Sequence, residues 1–329
     1  MAFFKKLFKS DKDKKKDGSP GSPQSPASDQ PPGPAKMSRD DFTDIEVLGK
    51  GTFAKVLLVK KNDTAEYFAM KVIDKKTVID HKRQNDAFIE RNVMRRLPHP
   101  YLLKLHGTFQ TEHKLFFVID YMPGGDMDKY LNEAPEKRVD LETARLYSAQ
   151  LFLAIRFLHE NGVIYRDLKP ENVLMSREGH AVLADFGLSK DFGQQQQAPM
   201  EAASFVGSPF YVAPDVLRQK GYTQAIDYWS LGILIYRMIY GRPPFSGRTM
   251  KDVFDAIASI GKNDVTFPTS RIVPNDEKAR DLIVNLLAKD PAKRAGPDFV
   301  AKHAFWDGLD FEAVMAQTVL PKHWAPLPS

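Results

Sequence analysis

The chain has 329 residues, 43% of them hydrophobic, which is long for a single core and too apolar for a disordered protein. Cysteine is absent, so disulfides and cysteine-ligated metal centres are excluded. The formal net charge of +5 comes largely from the first sixteen residues, and no apolar run is long enough to cross a bilayer.

Residues 1–16 read MAFFKKLFKSDKDKKK. Two readings stay open. One is a weak membrane-surface contact, with Phe3, Phe4, Leu7 and Phe8 entering the interface and the lysines facing anionic lipid. The other is a solvated basic tail. The interleaved lysines leave no signal-peptide core, and Ala2 fails the myristoylation pattern. Residues 17–36 are rich in Ser, Pro and Gly and bury too little to fold. Residues 1–36 are therefore expected to be a disordered tail on a cytoplasmic protein, with at most peripheral membrane association.

From Phe42 the composition turns globular. DIEVL, KVLLV and YFAMKVI, within residues 44–73, read as strands separated by Gly and Asn-Asp turns. Between the first two lies Gly49-Lys50-Gly51-Thr52-Phe53-Ala54-Lys55-Val56. Such glycines let backbone amides approach an anion, and the lack of a helix straight after them excludes the dinucleotide fingerprint. In the third strand, alternation puts Ala69, Lys71 and Ile73 on one face. A lysine on an apolar face is costly unless paired. Residues 86–97 carry Ile89, Val93, Met94 and Leu97 at helical spacing, with Glu90 on the face of Met94 and Leu97. Glu90 must point inward and want a cation, so Lys71 and Glu90 are each other's expected partners; the alternative is a lysine snorkelling at a strand edge.

KLFFVIDYM, residues 114–122, reads as another strand. LETARLYSAQLFLAIRFLHENG, residues 141–162, is a long amphipathic helix ending at Gly162. DYWSLGILIYRMIYG, residues 227–241, is apolar nearly all round and predicts a buried helix. A small β-rich part followed by a larger helical part gives an α+β, bilobal architecture. The densest chemistry is Ile164-Tyr165-Arg166-Asp167-Leu168-Lys169-Pro170-Glu171-Asn172-Val173-Leu174, followed by Ala184-Asp185-Phe186-Gly187. Phosphoryl transfer needs metal ligands, cations on the phosphates and a carboxylate at the acceptor hydroxyl, and this segment supplies all three.

With the glycine loop, Lys71 and Glu90, these strings resemble the eukaryotic protein kinases over residues 42–306. The resemblance implies the bilobal kinase fold, with an N-lobe of about 42–119 and a C-lobe of about 123–306, and it implies ATP and Mg²⁺ as cofactors. Leu48, Gly49, Lys50, Gly51, Thr52, Phe53, Ala54 and Val56 would cover the nucleotide. Lys71 would hold its α- and β-phosphates, paired with Glu90. Val56, Ala69 and Leu174 would sandwich the adenine, with Ile119 as gatekeeper, Asp120 to Met122 as hinge and Asp126 at the edge of the site. Asp167 would accept or orient the substrate proton, Lys169 would steady the γ-phosphate, and Asn172 and Asp185 would bind two Mg²⁺. YRDLKPEN, GHAVLADFGLSK and LLAKDPAKRAG resemble the AGC group of serine/threonine kinases. Arg166, read as otherwise unpaired beside Asp167, implies activation by phosphate on Ser204, placed there by an upstream kinase or by the protein itself. Ser208 would contact the catalytic loop. Gln194 to Gln197 form a polar run with no assigned chemistry.

Four departures from the family pattern carry expectations of their own. Ala54 stands where a third glycine is usual and should stiffen the loop slightly. Asp215 replaces a glutamate, so a shorter reach is expected to weaken its ion pair with Arg294. Arg237 lies where basophilic relatives carry a glutamate. With Asp126 and Glu171 as substrate contacts, protein substrates with arginine at position minus three are expected and the minus-two preference is expected to be lost; alternatively, Arg237 simply pairs with Glu171. Residues 307–329 resemble the start of a truncated AGC tail without its later aromatic motif. That implies a docking pocket filled in trans, or used to act on other kinases as an upstream activator. A pseudokinase scaffold would have lost Lys71, Asp167 or Asp185, and all three are present. A monomer that does not bind nucleic acid is expected.

Overall fold

The computed structural model describes residues 37–51, 54–193, 208–218, 221–259, 265–268 and 275–324. The expectations for residues 1–36, Thr52, Phe53, Gln194 to Gln197 and Ser204 lie outside the described residues.

Strands β1 (Phe42–Lys50), β2 (Ala54–Lys61) and β3 (Tyr67–Asp74) form where the β-branched and aromatic runs predict them. After β3 come a short helix α1 (Lys75–Asp80) and helix α2 (Gln84–Arg96). Strands β4 (Leu105–Gln110) and β5 (Lys114–Asp120) follow. The five strands make one antiparallel sheet in the order β1-β2-β3-β5-β4. Alternation gives the sheet two different faces. One carries a hydrophobic cluster of Phe42, Leu57, Val59, Met70, Phe116 and Val118, extended by Phe68, Val72 and Phe109. Phe109 stacks on Phe116 at 4.7 Å between ring centroids. Each fully buried side chain of this kind contributes about 1.5–3 kcal/mol. The other face carries the cross-strand rows Val56–Lys71–Phe117 and Leu58–Ala69–Ile119.

The chain divides into two units by its contacts. The first takes the described residues up to Gln84 together with Leu105–Tyr121; the second takes Asn85–Lys104 and the described residues from Met122 onward. Helix α2 thus groups almost entirely with the larger unit, although the expected N-lobe of about 42–119 includes it. The reason is local. Arg96 donates to Asp191 at 2.8 Å, and the Leu103 amide donates to the Leu183 carbonyl at 2.9 Å.

The larger unit is mainly helical. Helices α3 (Met127–Glu133), α4 (Leu141–Glu160), α5 (Pro214–Leu217) and α6 (Ala225–Tyr240) carry most of its core. Smaller helices α7 (Met250–Ala258), α8 (Glu277–Leu286), α9 (Pro297–Ala301) and α10 (Phe311–Met315) follow. Helix α4 is capped by Asp140, whose carboxylate accepts from the Thr143 amide at 3.0 Å, and it ends before Gly162 at φ 74°. Helix α6 is buried on every side, as its apolar sequence predicts, and stops at Gly241, also at φ 74°. Two short antiparallel pairs complete the unit. Strand β6 (Val163–Ile164) pairs with β9 (Lys190–Asp191), and β7 (Val173–Met175) pairs with β8 (Ala181–Leu183).

Candidate active site

The candidate residues divide between the two units. In the first, β1 and β2 form a hairpin around the glycine turn, and the Gly51 amide donates to the Ala54 carbonyl at 2.8 Å. Gly49 lies opposite Val56, and Lys50 opposite Lys55. Among the described residues, a Cβ added at Gly49 would meet nothing within 4 Å. The described residues therefore give no packing reason for glycine there. Leu48 is 41% exposed. Lys71, half-buried, lies between Val56 and Phe117, and Ala69 lies between Leu58 and Ile119. Asp120 closes β5 opposite Phe68 and accepts from His106 at 2.6 Å.

In the larger unit, Glu90 is buried on α2, on the same side as Val93 and Met94. Segment 122–126 is tied to β7: the Gly124 amide donates to the Met175 carbonyl, the Met175 amide returns to Gly125, and Asp126 bridges Leu174. Met122, Asp126 and Leu174 are thereby brought together. Asp126 also caps α3, accepting from the Lys129 amide at 2.8 Å.

The loop between β6 and β7 holds Asp167, Lys169 and Asn172 in one cluster. Lys169 donates to Asp167 Oδ2 at 2.8 Å, and the Asn172 amide nitrogen donates to the same oxygen at 2.7 Å and to the Asp167 carbonyl at 2.9 Å. Asp167 Oδ1 is buried and accepts no hydrogen bond. Burial pushes the Asp167 carboxyl above its ordinary value of 3.8; Lys169 and Asn172 oppose the rise, and Asp185 adds to it. The Ala184 amide donates to the Asn172 carbonyl at 2.9 Å, so Asp185 starts one residue from the loop. Arg166 and Asp185 both hold left-handed backbone, at φ 72° and 50°. Residues other than glycine in that region cluster at functional sites.

Tyr165 is fully buried; its hydroxyl donates to the Ala184 carbonyl at 2.5 Å, and its ring meets Phe186 edge-on at 5.8 Å. Asp227, on the first turn of α6, accepts from the Tyr165 amide at 2.9 Å, the Arg166 amide at 2.8 Å and His159 at 2.7 Å. Sequence reasoning missed Asp227 and His159. The available signal was a carboxylate at the start of a helix with no polar face.

Two expectations need correction, and a third concerns a pair that does form. Arg166 is not unpaired: it donates to the Leu188 carbonyl at 2.6 Å, the Tyr222 hydroxyl at 3.0 Å and the Ser189 carbonyl at 3.3 Å. Arg237 does not pair with Glu171. It is buried and donates to Asn132 Oδ1 at 3.0 Å and to the Lys137 carbonyl. Asp215 does reach Arg294, in a buried bidentate pair at 2.6 and 3.3 Å, and the guanidinium also lies 5.3 Å from the Trp229 ring centre. Glu171 is exposed, and Ser208 lines a small cavity with Arg166, Asp167 and Tyr211.

Among the described residues, no three His, Cys, Asp or Glu side chains gather as a ready-made metal cage. Magnesium bound through phosphate oxygens needs only one or two protein oxygens. Asp185 offers a carboxylate. Asn172 turns its amide nitrogen to Asp167, so what it can offer elsewhere is its side-chain oxygen. The donor set fits that ion.

The protein kinase domain family model matches residues 42–306. The chain is 38% identical over 294 residues to a RAC family serine/threonine-protein kinase homolog of Dictyostelium discoideum, covering 89% of this chain and 64% of that protein. It is 37% identical over 286 residues to the serine/threonine-protein kinase Sgk2 of Mus musculus, covering 85% of this chain and 75% of the relative. To the serine/threonine-protein kinase YPK1 of Saccharomyces cerevisiae it is 36% identical over 290 residues, 87% of this chain but 41% of the relative. The chain thus spans less than two thirds of the length of the Dictyostelium and yeast proteins.

Proposed function

The chain belongs to the protein kinase family, in its AGC group, and from that premise we propose that it transfers the γ-phosphate of Mg·ATP to serine or threonine hydroxyls of protein substrates. The observation that carries the reading is the state of Asp167. One carboxylate oxygen is fixed by Lys169 and Asn172 while the other is buried and accepts nothing. An orphaned buried acceptor costs about 1–3 kcal/mol. An acceptor hydroxyl donating to Oδ1 would satisfy it and leave its oxygen poised to attack.

The remaining roles follow from chemistry. Lys169 brings a cation to the same carboxylate and can meet phosphate oxygens as the hydroxyl engages. Asn172 and Asp185 would hold Mg²⁺, which, when bound, neutralises charge on the phosphates. The glycine turn would let the β1–β2 backbone lie close over phosphates, Lys71 would supply a positive charge from β3, and Glu90 would pair with that lysine. Val56, Ala69, Ile119, Met122 and Leu174 supply apolar surface for the base. Substrate choice in this reading rests on Asp126, which favours arginine at position minus three, on Glu171, whose minus-two partner position is occupied by Arg237, and on Ser208 beside the catalytic loop. Phosphate on Ser204 would raise activity.

The test is phosphate transfer from Mg·ATP to a peptide with arginine at minus three, using Asp185→Asn as control and mapping any label on the protein itself. Transfer by the wild type alone supports the reading, and label on Ser204 supports self-activation. Absence of both transfer and Mg·ATP binding would overturn it in favour of a binding scaffold.

A further inference from the structure

The indole of Trp324 sits against two backbone segments at once. Its Nε1–H donates to the Arg177 carbonyl at 2.9 Å, in the turn between β7 and β8. Its ring lies 5.4 Å from the Tyr130 ring on α3. It also packs where two glycines lack side chains: a Cβ on Gly179 would fall 2.4 Å from the indole, and one on Gly124 would fall 2.6 Å from the Met175 Cβ and 2.8 Å from the indole. Gly179 is at φ +89° as well, so both its backbone and its neighbour demand glycine.

The two segments beneath this ring are those that carry Met122, Asp126 and Leu174. They are already joined by the Gly124–Met175 and Met175–Gly125 hydrogen bonds at 3.1 and 2.9 Å and by the Asp126–Leu174 bridge. The chain that delivers Trp324 is itself held down. Val314 of α10 takes a hydrogen bond from the Tyr101 hydroxyl, and Gln317 donates to the Pro100 carbonyl at 3.4 Å. The indole is thus brought in from outside to brace the joint, at a place where each segment has given up its own side chain.

We propose that Trp324 is a positioning residue for the nucleotide: docked on Gly124 and Gly179, it sets the relative placement of segment 122–126 and β7, and so of the Met122 and Leu174 surfaces offered to the base. This rests on the nucleotide reading of those residues. Removing the ring leaves an open space beside Gly179, leaves Gly124 packed on Met175 alone, and lets the segments shift against each other. Misplacement by about 1 Å can cost up to about 100-fold in a tightly positioned site.

The experiment compares the full chain with Trp324→Ala, Trp324→Leu and Trp324→Phe. It measures the Kd of Mg·ATP by calorimetry, KM for ATP and for peptide separately, and the melting temperature. The expected result is a rise of about tenfold in Kd and in KM for ATP for the alanine and leucine variants, with KM unchanged for a peptide that lacks arginine at minus three. The phenylalanine variant, which keeps a ring but loses the bond to Arg177, should stay within about threefold of wild type. Lower melting with unaltered Kd in the folded leucine and phenylalanine variants would make the indole a stabilising contact only and overturn the inference. Failure of the wild type to bind Mg·ATP would instead remove the nucleotide reading, and this inference with it.

Discussion

Asn172 binds Asp167 twice through one amide nitrogen, at 2.7 Å to the carboxylate and 2.9 Å to the backbone carbonyl. The side chain is thereby fixed relative to its own main chain, and its free oxygen has a defined direction. The arrangement holds a charge where burial disfavours it. The folded protein binds the Asp167 proton more tightly than the unfolded chain does, so the stability from this group is present below the ordinary value of 3.8 and is lost as pH rises through the raised value. Asp167→Asn should therefore melt no lower than wild type at neutral pH while losing about 10²–10⁴-fold in rate. Wild-type single-turnover rates should rise with pH through a value above 3.8. A marked drop in melting temperature for the variant would show that the carboxylate stabilises the fold.

Asp185 and Asp167 are expected to differ in kind. If positioning and charge on the phosphates dominate phosphoryl transfer, Asp185→Asn loses at least as much rate as Asp167→Asn. Asparagine is the right replacement, because at φ 50° it tolerates left-handed backbone where alanine adds strain. Single-turnover rates at saturating Mg·ATP decide the order, and a clearly faster Asp185 variant refutes it.

Gly49→Ala separates folding from binding. With nothing among the described residues within 4 Å of the added Cβ and no left-handed φ to strain, the variant should be as stable as wild type or more stable by about 0.5–1 kcal/mol. Its Kd for Mg·ATP should rise severalfold if backbone there approaches phosphate. Unchanged affinity would remove Gly49 from the nucleotide site.

The Asp215–Arg294 pair forms with the shorter carboxylate. The shorter carboxylate already closes both bonds in a buried setting, so Asp215→Glu adds a methylene to a buried pair and should destabilise by about 1–3 kcal/mol. Asp215→Asn, which leaves the guanidinium uncompensated, should cost about 3–5 kcal/mol. Chemical denaturation measures both, and a more stable glutamate variant would contradict the geometry.

Arg237 holds Asn132 and the Lys137 carbonyl, so its charge is fixed in the large unit. Its proximity to Tyr211 is felt there: burial raises the Tyr211 phenol, Glu171 and Asp128 raise it further, and Arg237 opposes them. A peptide array should show arginine selected at minus three and not at minus two. Strong minus-two arginine selection would refute this assignment.

The parts of this molecule legible in sequence are those written locally. The strands around Gly49 and Lys71, the helix closing at Gly162 and the buried helix closing at Gly241 each carry their period and their stop signal within one stretch. Asp167, Lys169 and Asn172 fall within six consecutive residues, so their cluster was visible as a string. Strand β4 was missed because Leu105–Gln110 interrupts its apolar residues with His106 and Gly107. The contacts of Asp227, Arg237 and Trp324 were illegible for a different reason. Each joins a side chain to backbone or side chains far away in sequence, and such pairs leave no periodic trace.

Asp227 grips the loop between β6 and β7 by two main-chain amides, those of residues 165 and 166. Every residue except proline supplies such an amide. The fastening is therefore indifferent to what side chain position 165 bears, and that side chain is released for another purpose. Tyr165 spends it on the Ala184 carbonyl, one residue ahead of Asp185. Tyr165→Phe, which keeps the buried ring, removes only the link to the Ala184 carbonyl and leaves both amide bonds to Asp227 available.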